Sequence, residues 1–196
     1  MNLSKLLANP KVSAPKWLAN NLIYATIMGS HAYGCNGPES DIDVYGICIP
    51  PKDLIFGPPD EIPGFGRQIK KFNQFQNKVP DEKGEEMDCS IYGIVQFFKL
   101  AMEANPNILN SIFTPFNCVV LSTPIGQHIM ANRKLFLSKK AYHTHKGYCF
   151  SQIHKMDGKD LNPESKRYDL RVKFGFDVKF GMHAVRILQE VEQILI

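Results

Sequence analysis

Two short apolar segments joined through a glycine-containing turn most constrain how this chain can fold. Residues 22–28 (LIYATIM) are rich enough in β-branched and aromatic side chains to predict a buried strand, and Gly29-Ser30 follows directly. A second strand is predicted for residues 41–49 (DIDVYGICI), which a Pro-Pro pair closes. This part of the chain therefore predicts a hairpin-like pair of strands around a Gly-Ser turn.

Two aspartates begin the second predicted strand. Alternate strand residues point to the same face, so Asp41 and Asp43 should lie about 7 Å apart along that face. Two carboxylates so placed repel each other unless a cation lies between them, and Mg²⁺ is the hard cation that commonly combines one or two carboxylates with substrate phosphates. Asp88 stands among apolar residues on the next predicted strand and is the natural third carboxylate. The three predict a site for two Mg²⁺ ions, with Mn²⁺ as a substitute, about 3.5–4 Å apart.

The Gly-Ser turn is the candidate phosphate-binding element beside these carboxylates. Glycine at position 29 lets the backbone approach a ligand closely, and the hydroxyl of Ser30 adds a hydrogen-bond donor. A magnesium site of this kind needs a triphosphate as co-ligand, so the pattern indicates a nucleoside triphosphate as partner. His31 follows in the same turn and is a third candidate for nucleotide binding.

The remaining pattern indicates an α/β (α+β) fold with a mixed sheet flanked by helices. Residues 50–84 are rich in Pro, Gly and charge and are expected to form a flexible insertion without regular structure. Further strands are predicted at 85–89 and 119–121, and residues 157–169 are expected to be a linker. Helices are predicted from 91 to 105, 107 to 113, 124 to 134, 138 to 156, and 176 onward.

We expect residues 1–121 to be the core that carries the carboxylates and residues 122–196 to be a C-terminal helical subdomain. The last helix has an apolar stripe that is expected to face the protein. Its polar stripe contains Lys179, His183 and Arg186, which are candidates for binding triphosphate charge, with solvent exposure as the alternative. The helix runs to Ile196 without a stop signal, which indicates a shortened chain. The residues of the apolar stripe are Val178, Met182, Val185, Leu188, Val191 and Leu195.

The composition excludes several classes of protein. With 196 residues, 44% of them hydrophobic and 21% charged, the chain is neither disordered nor fibrous. It has no apolar run of about 20 residues and no signal-peptide pattern, so we expect a cytoplasmic protein with no membrane partner. Its five scattered cysteines indicate free, mostly buried thiols. The net charge is +4, with the basic excess in the C-terminal half, which suits a metal site facing a polyanion as well as an ordinary basic surface.

Other interpretations of the Asp-x-Asp motif were weighed. A lone motif of this kind is frequent by chance and also occurs in sugar-nucleotide transferases, where a different nucleotide-binding fold would precede it. An EF-hand beginning at Asp41 is excluded because Lys52 falls at the position that requires a bidentate glutamate. The histidines of the predicted helix at 138–156 do not share one helical face, which disfavours a zinc site.

The quoted residues resemble a known family. The sequences G-S-x-A-Y-G and S-D-I-D-V-x-G, a Pro-Pro pair, and a third Asp before a helix ending in N-P-N are similar to the DNA polymerase β-like nucleotidyltransferase superfamily. Within it they look like the small RNA-repair-associated branch, and the likeness covers roughly residues 22–190. Where many relatives have arginine after Gly-Ser, this chain has His31.

The resemblance implies a two-metal enzyme that transfers a nucleoside monophosphate from a nucleoside triphosphate, ATP among them, to a hydroxyl. The acceptor would be an RNA end (tRNA included), a small molecule or a protein, and the oligomeric state stays open. The alternative is a regulator of the same fold, resembling an antitoxin, that binds nucleotide or RNA without turnover. Three mutually repelling carboxylates favour the enzyme, because a pure binding protein has no need of them.

Overall fold

The computed structural model describes residues 1–37, 40–56, 71–81, 84–156 and 166–196. The strands are β1 (Leu22–Met28), β2 (Ile42–Cys48), β3 (Gln74–Pro80), β4 (Glu86–Gly93) and β5 (Val119–Ser122). The helices are α1 (Leu3–Leu7), α2 (Gly29–Ala32), α3 (Lys52–Phe56), α4 (Ile94–Met102), α5 (Pro106–Phe113), α6 (Pro124–Ala131), α7 (Lys140–Met156), α8 (Lys166–Phe174) and α9 (Val178–Leu195), with short 3-10 turns at Leu18–Asn20, Phe116–Cys118 and Arg133–Phe136.

The strands form one mixed sheet in the order β3-β4-β2-β1-β5. β2 pairs with β1 in the antiparallel sense and with β4 in the parallel sense, while β3 and β5 are antiparallel edge strands. The predicted α+β architecture and the predicted pair of strands around the Gly-Ser turn are thereby confirmed.

One face of the sheet is apolar and builds the core. On β2 and β4 this face carries Val44, Met87, Cys89 and Ile91, all buried, because side chains of opposite character alternate along both strands. The N-terminal segment covers this face, with α1 and the turn at Leu18–Asn20 contributing to the same apolar cluster. Burying three such aliphatic or thioether side chains contributes about 5–9 kcal/mol, at about 1.5–3 kcal/mol each.

The opposite face is polar and is closed over β1. The hydroxyl of Tyr24 donates to the carbonyl oxygen of Ser111 at 2.9 Å, and the hydroxyls of Thr26 and Thr114 hydrogen-bond at 2.8 Å. All four residues are buried. Buried polar groups are tolerated only when paired, so this network fixes the end of α5 on β1.

Clustering of the contacts divides the chain into two compact units. Unit 1 comprises Met1–Leu100 and Asn110–Arg133 and contains the sheet; unit 2 comprises Ala101–Leu109 and Lys134–Ile196. In unit 2, α9 packs on α7 through a buried cluster of Cys149, Ala184 and Ile187.

Three sequence expectations are wrong. Residues 74–80, placed in an irregular insertion, form strand β3, whereas the expected flexibility of residues 57–70 lies outside the described residues. Residues 166–169, expected to continue the linker, begin α8, and the first part of that linker also lies outside the described residues.

The third correction concerns the orientation of α9. Its buried face contains Ala184 and Ile187, while Met182, Val185, Leu188 and Leu195 of the expected buried stripe are exposed. Apolar residues occur around most of this helix, so periodicity alone could not identify the inner face. The small Ala184 lets the helix approach α7 closely, and that packing decides the orientation.

The cysteines follow the prediction of free and mostly buried thiols. Cys48, Cys89, Cys118 and Cys149 are buried, and burial raises the pKa of the Cys48 thiol to about 12. Cys35 is exposed. Within the described ranges, no helix is long and apolar enough to cross a membrane.

We predict that Tyr24→Phe lowers the free energy of unfolding of unit 1 by about 1–2 kcal/mol, because the carbonyl of Ser111 and the hydroxyl of Thr114 lose a buried partner. Urea unfolding followed by circular dichroism would measure this. Ser13→Ala removes an exposed hydroxyl from the same unit and should change the value by less than about 0.5 kcal/mol. Equal stability of the two variants would show that the network does not hold α5 to β1.

Candidate active site

The strand registers place the site residues in a row across the sheet. Met28 of β1 lies opposite Asp43 of β2, Asp43 lies opposite Asp88 of β4, and Asp88 lies opposite Lys78 of β3. Residues directly paired in a sheet share a face, and neighbouring strands are about 4.8 Å apart. Asp41, two residues before Asp43, shares that face, so the structure brings the three predicted aspartates to one region of the polar face.

The three carboxylates differ in burial and are not closed into a cage. Asp41 and Asp88 are exposed, and Asp43 is half-buried. Among the described residues, no three His, Cys, Asp or Glu side chains are grouped closely enough to hold a metal ion by themselves. Their donor type fits Mg²⁺, which takes oxygen ligands and relies on substrate phosphates to complete its shell. The two-ion arrangement therefore stays a prediction.

Gly29 lies against the central carboxylate and can be nothing but a small residue. Its φ is +64°, in the left-handed region that favours glycine. A Cβ atom at this position would overlap the Oδ2 atom of Asp43. The missing side chain thus leaves the carboxylate of Asp43 next to the backbone where β1 ends.

The turn after Gly29 is held to the start of β2 by hydrogen bonds. The carbonyl of Ser30 accepts from the backbone N–H of Cys35 at 3.0 Å. The Nε2 atom of His31 lies 3.3 Å from the carbonyl oxygen of Ser40, which it can reach as a donor when that nitrogen carries the proton. The residue that replaces the family's usual arginine therefore connects the turn to the residue before Asp41, while the nucleotide-binding roles of Gly29, Ser30 and His31 stay predictions.

Lys78 is a site residue that the sequence did not reveal, because its strand was not predicted. Its Nζ atom forms an exposed ion pair of 2.9 Å with Glu86. The hydrogen bond from Lys78 to Glu86 raises the pKa of the lysine, and the charges of Glu86, Asp88 and Asp41 raise it further. A cation thus lies at the open end of the carboxylate row.

Three further candidates lie on α9, in unit 2. Lys179 is exposed, and His183 is half-buried. Arg186 Nε lies 3.4 Å from Glu190 Oε1, and the two side chains are only 15% and 17% exposed. The charged stripe of α9 is therefore the less exposed one, contrary to expectation, and part of it is an ion pair. Roles for these residues in nucleotide binding stay predictions.

Comparison with known proteins agrees with this geometry. The model of the RNA repair pathway DNA polymerase beta family matches residues 3–195. The chain is also 29% identical over 153 residues to an uncharacterised 38.9 kDa protein from the nrdC–mobD intergenic region of Enterobacteria phage T4. That match covers 76% of this chain and 43% of the phage protein, so the chain spans less than half the length of that relative.

We predict that Gly29→Ala weakens binding of Mg²⁺-nucleotide by about tenfold or more, because the new Cβ displaces the Asp43 carboxylate and disturbs a charged interaction. Isothermal titration calorimetry would measure the affinity. The matched control is Gly34→Ala. Gly34 has a similar φ of +68°, but a Cβ there meets nothing within 4 Å.

Both substitutions force alanine into the left-handed region and should lower the free energy of unfolding by a similar amount, about 1–2 kcal/mol. Only the variant at Gly29 should lose nucleotide affinity. If Gly34→Ala lowered the affinity equally, backbone strain in the turn would explain the effect, and the approach of Gly29 to Asp43 would not.

Proposed function

The chain belongs to the RNA repair pathway DNA polymerase beta family, and from this membership we propose that it is a Mg²⁺-dependent nucleotidyltransferase acting on an RNA end. The observation that carries the proposal is the placement of Asp43 opposite Asp88, with Asp41 on the same face and Gly29 against the central carboxylate. Three carboxylates at one place on an open sheet face cost stability through mutual repulsion, and binding cations of a nucleotide substrate gives a reason to keep them.

In the proposed reaction, a hydroxyl oxygen of the acceptor forms a bond to the α-phosphorus of a nucleoside triphosphate. The bond from that phosphorus to the bridging oxygen breaks, and pyrophosphate leaves. Asp41, Asp43 and Asp88 would hold the metal ions, and Mg²⁺, when bound, neutralises phosphate charge and makes the hydroxyl a better nucleophile.

The protein's own groups divide the remaining work. The backbone at Gly29 has no side chain to obstruct the phosphates beside Asp43, and the hydroxyl of Ser30 can donate to a phosphate oxygen. Asp88 is our candidate acceptor for the proton of the attacking hydroxyl. It lies one strand farther from the Gly-Ser turn than Asp43, on the side where the sheet face is open, and its carboxylate is exposed.

We predict that Asp43→Asn lowers the rate of nucleotidyl transfer by about 100-fold or more, because one carboxylate that would hold Mg²⁺ is lost. The same change should not lower the free energy of unfolding, since it relieves repulsion between neighbouring carboxylates. The assay would use each α-labelled nucleoside triphosphate with Mg²⁺ and RNA that carries a free 3′-hydroxyl. RNA with a blocked 3′ end is the substrate control.

Asp53→Asn is the matched control variant, because it removes an exposed carboxylate from α3, outside the row. It should transfer nucleotide at the wild-type rate. Wild-type turnover by Asp43→Asn would place catalysis elsewhere. Tight binding of nucleotide or RNA by the wild-type protein with no transfer under any condition would favour the non-catalytic regulator instead.

A further inference from the structure

The polar face of the sheet is covered over β1 but opens progressively toward the edge strand β3. In the second row of paired residues, Thr26 is fully buried, Tyr45 and Ser90 are half-buried, and Gln76 is exposed. The first row, with the carboxylates, follows the same trend and ends at the exposed Lys78. An open surface formed by β2, β4 and β3 therefore continues directly from the candidate active site.

This open surface has aromatic and amide side chains. The rings of Tyr45 and Tyr92 lie 5.9 Å apart between centroids and are tilted by 54°. Partial burial raises the pKa of Tyr92, so this phenol adds no negative charge at neutral pH. Gln74 and Gln76 are both exposed on β3, opposite Tyr92 and Ser90. Such groups can stack on nucleobases and hydrogen-bond to their edges.

The charges on this face disfavour a ligand held through its phosphates. Lys78 already pairs with Glu86, and the three aspartates lie beside it. A duplex, which presents mainly phosphates, would be repelled, whereas a single strand can turn its neutral bases toward the tyrosines and glutamines. The charge pattern thus selects for unpaired bases.

Distances along β4 fit an acceptor lying on this surface. Asp88, Ser90 and Tyr92 share one face, and four residues of strand separate Asp88 from Tyr92 by about 13 Å. A chain whose terminal hydroxyl reaches the carboxylates would therefore place a preceding base near the two tyrosines.

We propose that the surface formed by Tyr45, Tyr92, Gln74 and Gln76 binds the single-stranded 3′ end of an RNA acceptor through its bases. This rests on the proposed nucleotidyl transfer, since it assigns the acceptor position for that reaction. Lys78 lies between this surface and the carboxylates and contacts the last phosphate.

The test measures the affinity of the full chain for a short, unstructured, fluorescently labelled oligoribonucleotide by anisotropy. Tyr92→Ala should weaken binding about tenfold or more, because base stacking on an aromatic ring is lost, while Tyr92→Phe keeps the ring and should bind like the wild type. The Gln74→Ala, Gln76→Ala double variant changes only exposed side chains, so it tests the surface without endangering the fold, and it should bind severalfold more weakly.

Salt dependence and a control tyrosine complete the test. With one lysine near phosphate, the logarithm of the binding constant should fall with the logarithm of salt concentration with a slope of about −0.7 or shallower. Tyr142→Ala removes an exposed tyrosine of unit 2 and should bind RNA like the wild type. Binding that is unaffected by the variants on β3 and β4, a steep salt slope, or preference for duplex RNA would each overturn the proposal.

Calorimetry with Mg²⁺ and nucleoside triphosphate separates this inference from the proposed function. All the surface variants should keep wild-type nucleotide affinity. Loss of RNA binding in these variants, together with a wild-type protein that neither binds nor transfers nucleotide, would support the surface while refuting the nucleotidyltransferase. Normal nucleotide transfer with RNA binding unchanged in the variants would do the reverse.

Discussion

The parallel pairing of β2 with β4 is the constraint on which the rest of the sheet depends. Its register places Asp43 opposite Asp88 on one face and Val44 opposite Cys89 on the other. Because side chains alternate with a period of two, a slip of one residue would bury an aspartate and expose the core. Like charges directly opposite each other cost up to about 1 kcal/mol, which is small beside the several kcal/mol contributed by the apolar face. The core can therefore hold the carboxylates together without help from a ligand.

The sequence predicted the parts of the site that carry strong local patterns. β1 and the Gly-Ser turn came directly from an apolar run and a glycine, and Asp41, Asp43 and Asp88 came from strand periodicity. β3 was missed because its buried residues, Phe75 and Val79, are separated by polar ones in a region rich in proline, glycine and charge. The tyrosines, glutamines and lysine beside the carboxylates could not be grouped from sequence, since only the pairing of β3 with β4 brings them together.

The last helix shows a different limit of sequence patterns. Hydrophobic periodicity finds an amphipathic helix, but it does not decide between two overlapping apolar stripes. In α9 the stripe with Ala184 and Ile187 is buried because small residues allow two helix axes to approach, and this depends on the partner helix α7. The charged residues Arg186 and Glu190 then lie at the border of that packing and pair with each other. Assigning them to a ligand from spacing alone took no account of this neighbour.

The uneven burial of the cysteines has a practical consequence for following the turn in solution. A thiol must ionise to react with an alkylating dye, and burial suppresses ionisation at Cys48 and Cys89, whose pKa values are both about 12. Cys35 is exposed, and its backbone N–H is bonded to Ser30 in the Gly-Ser turn. Mild labelling of the wild-type chain would therefore attach a fluorophore selectively to that turn. The emission of such a probe would report local rearrangement in real time, without any substitution in the chain.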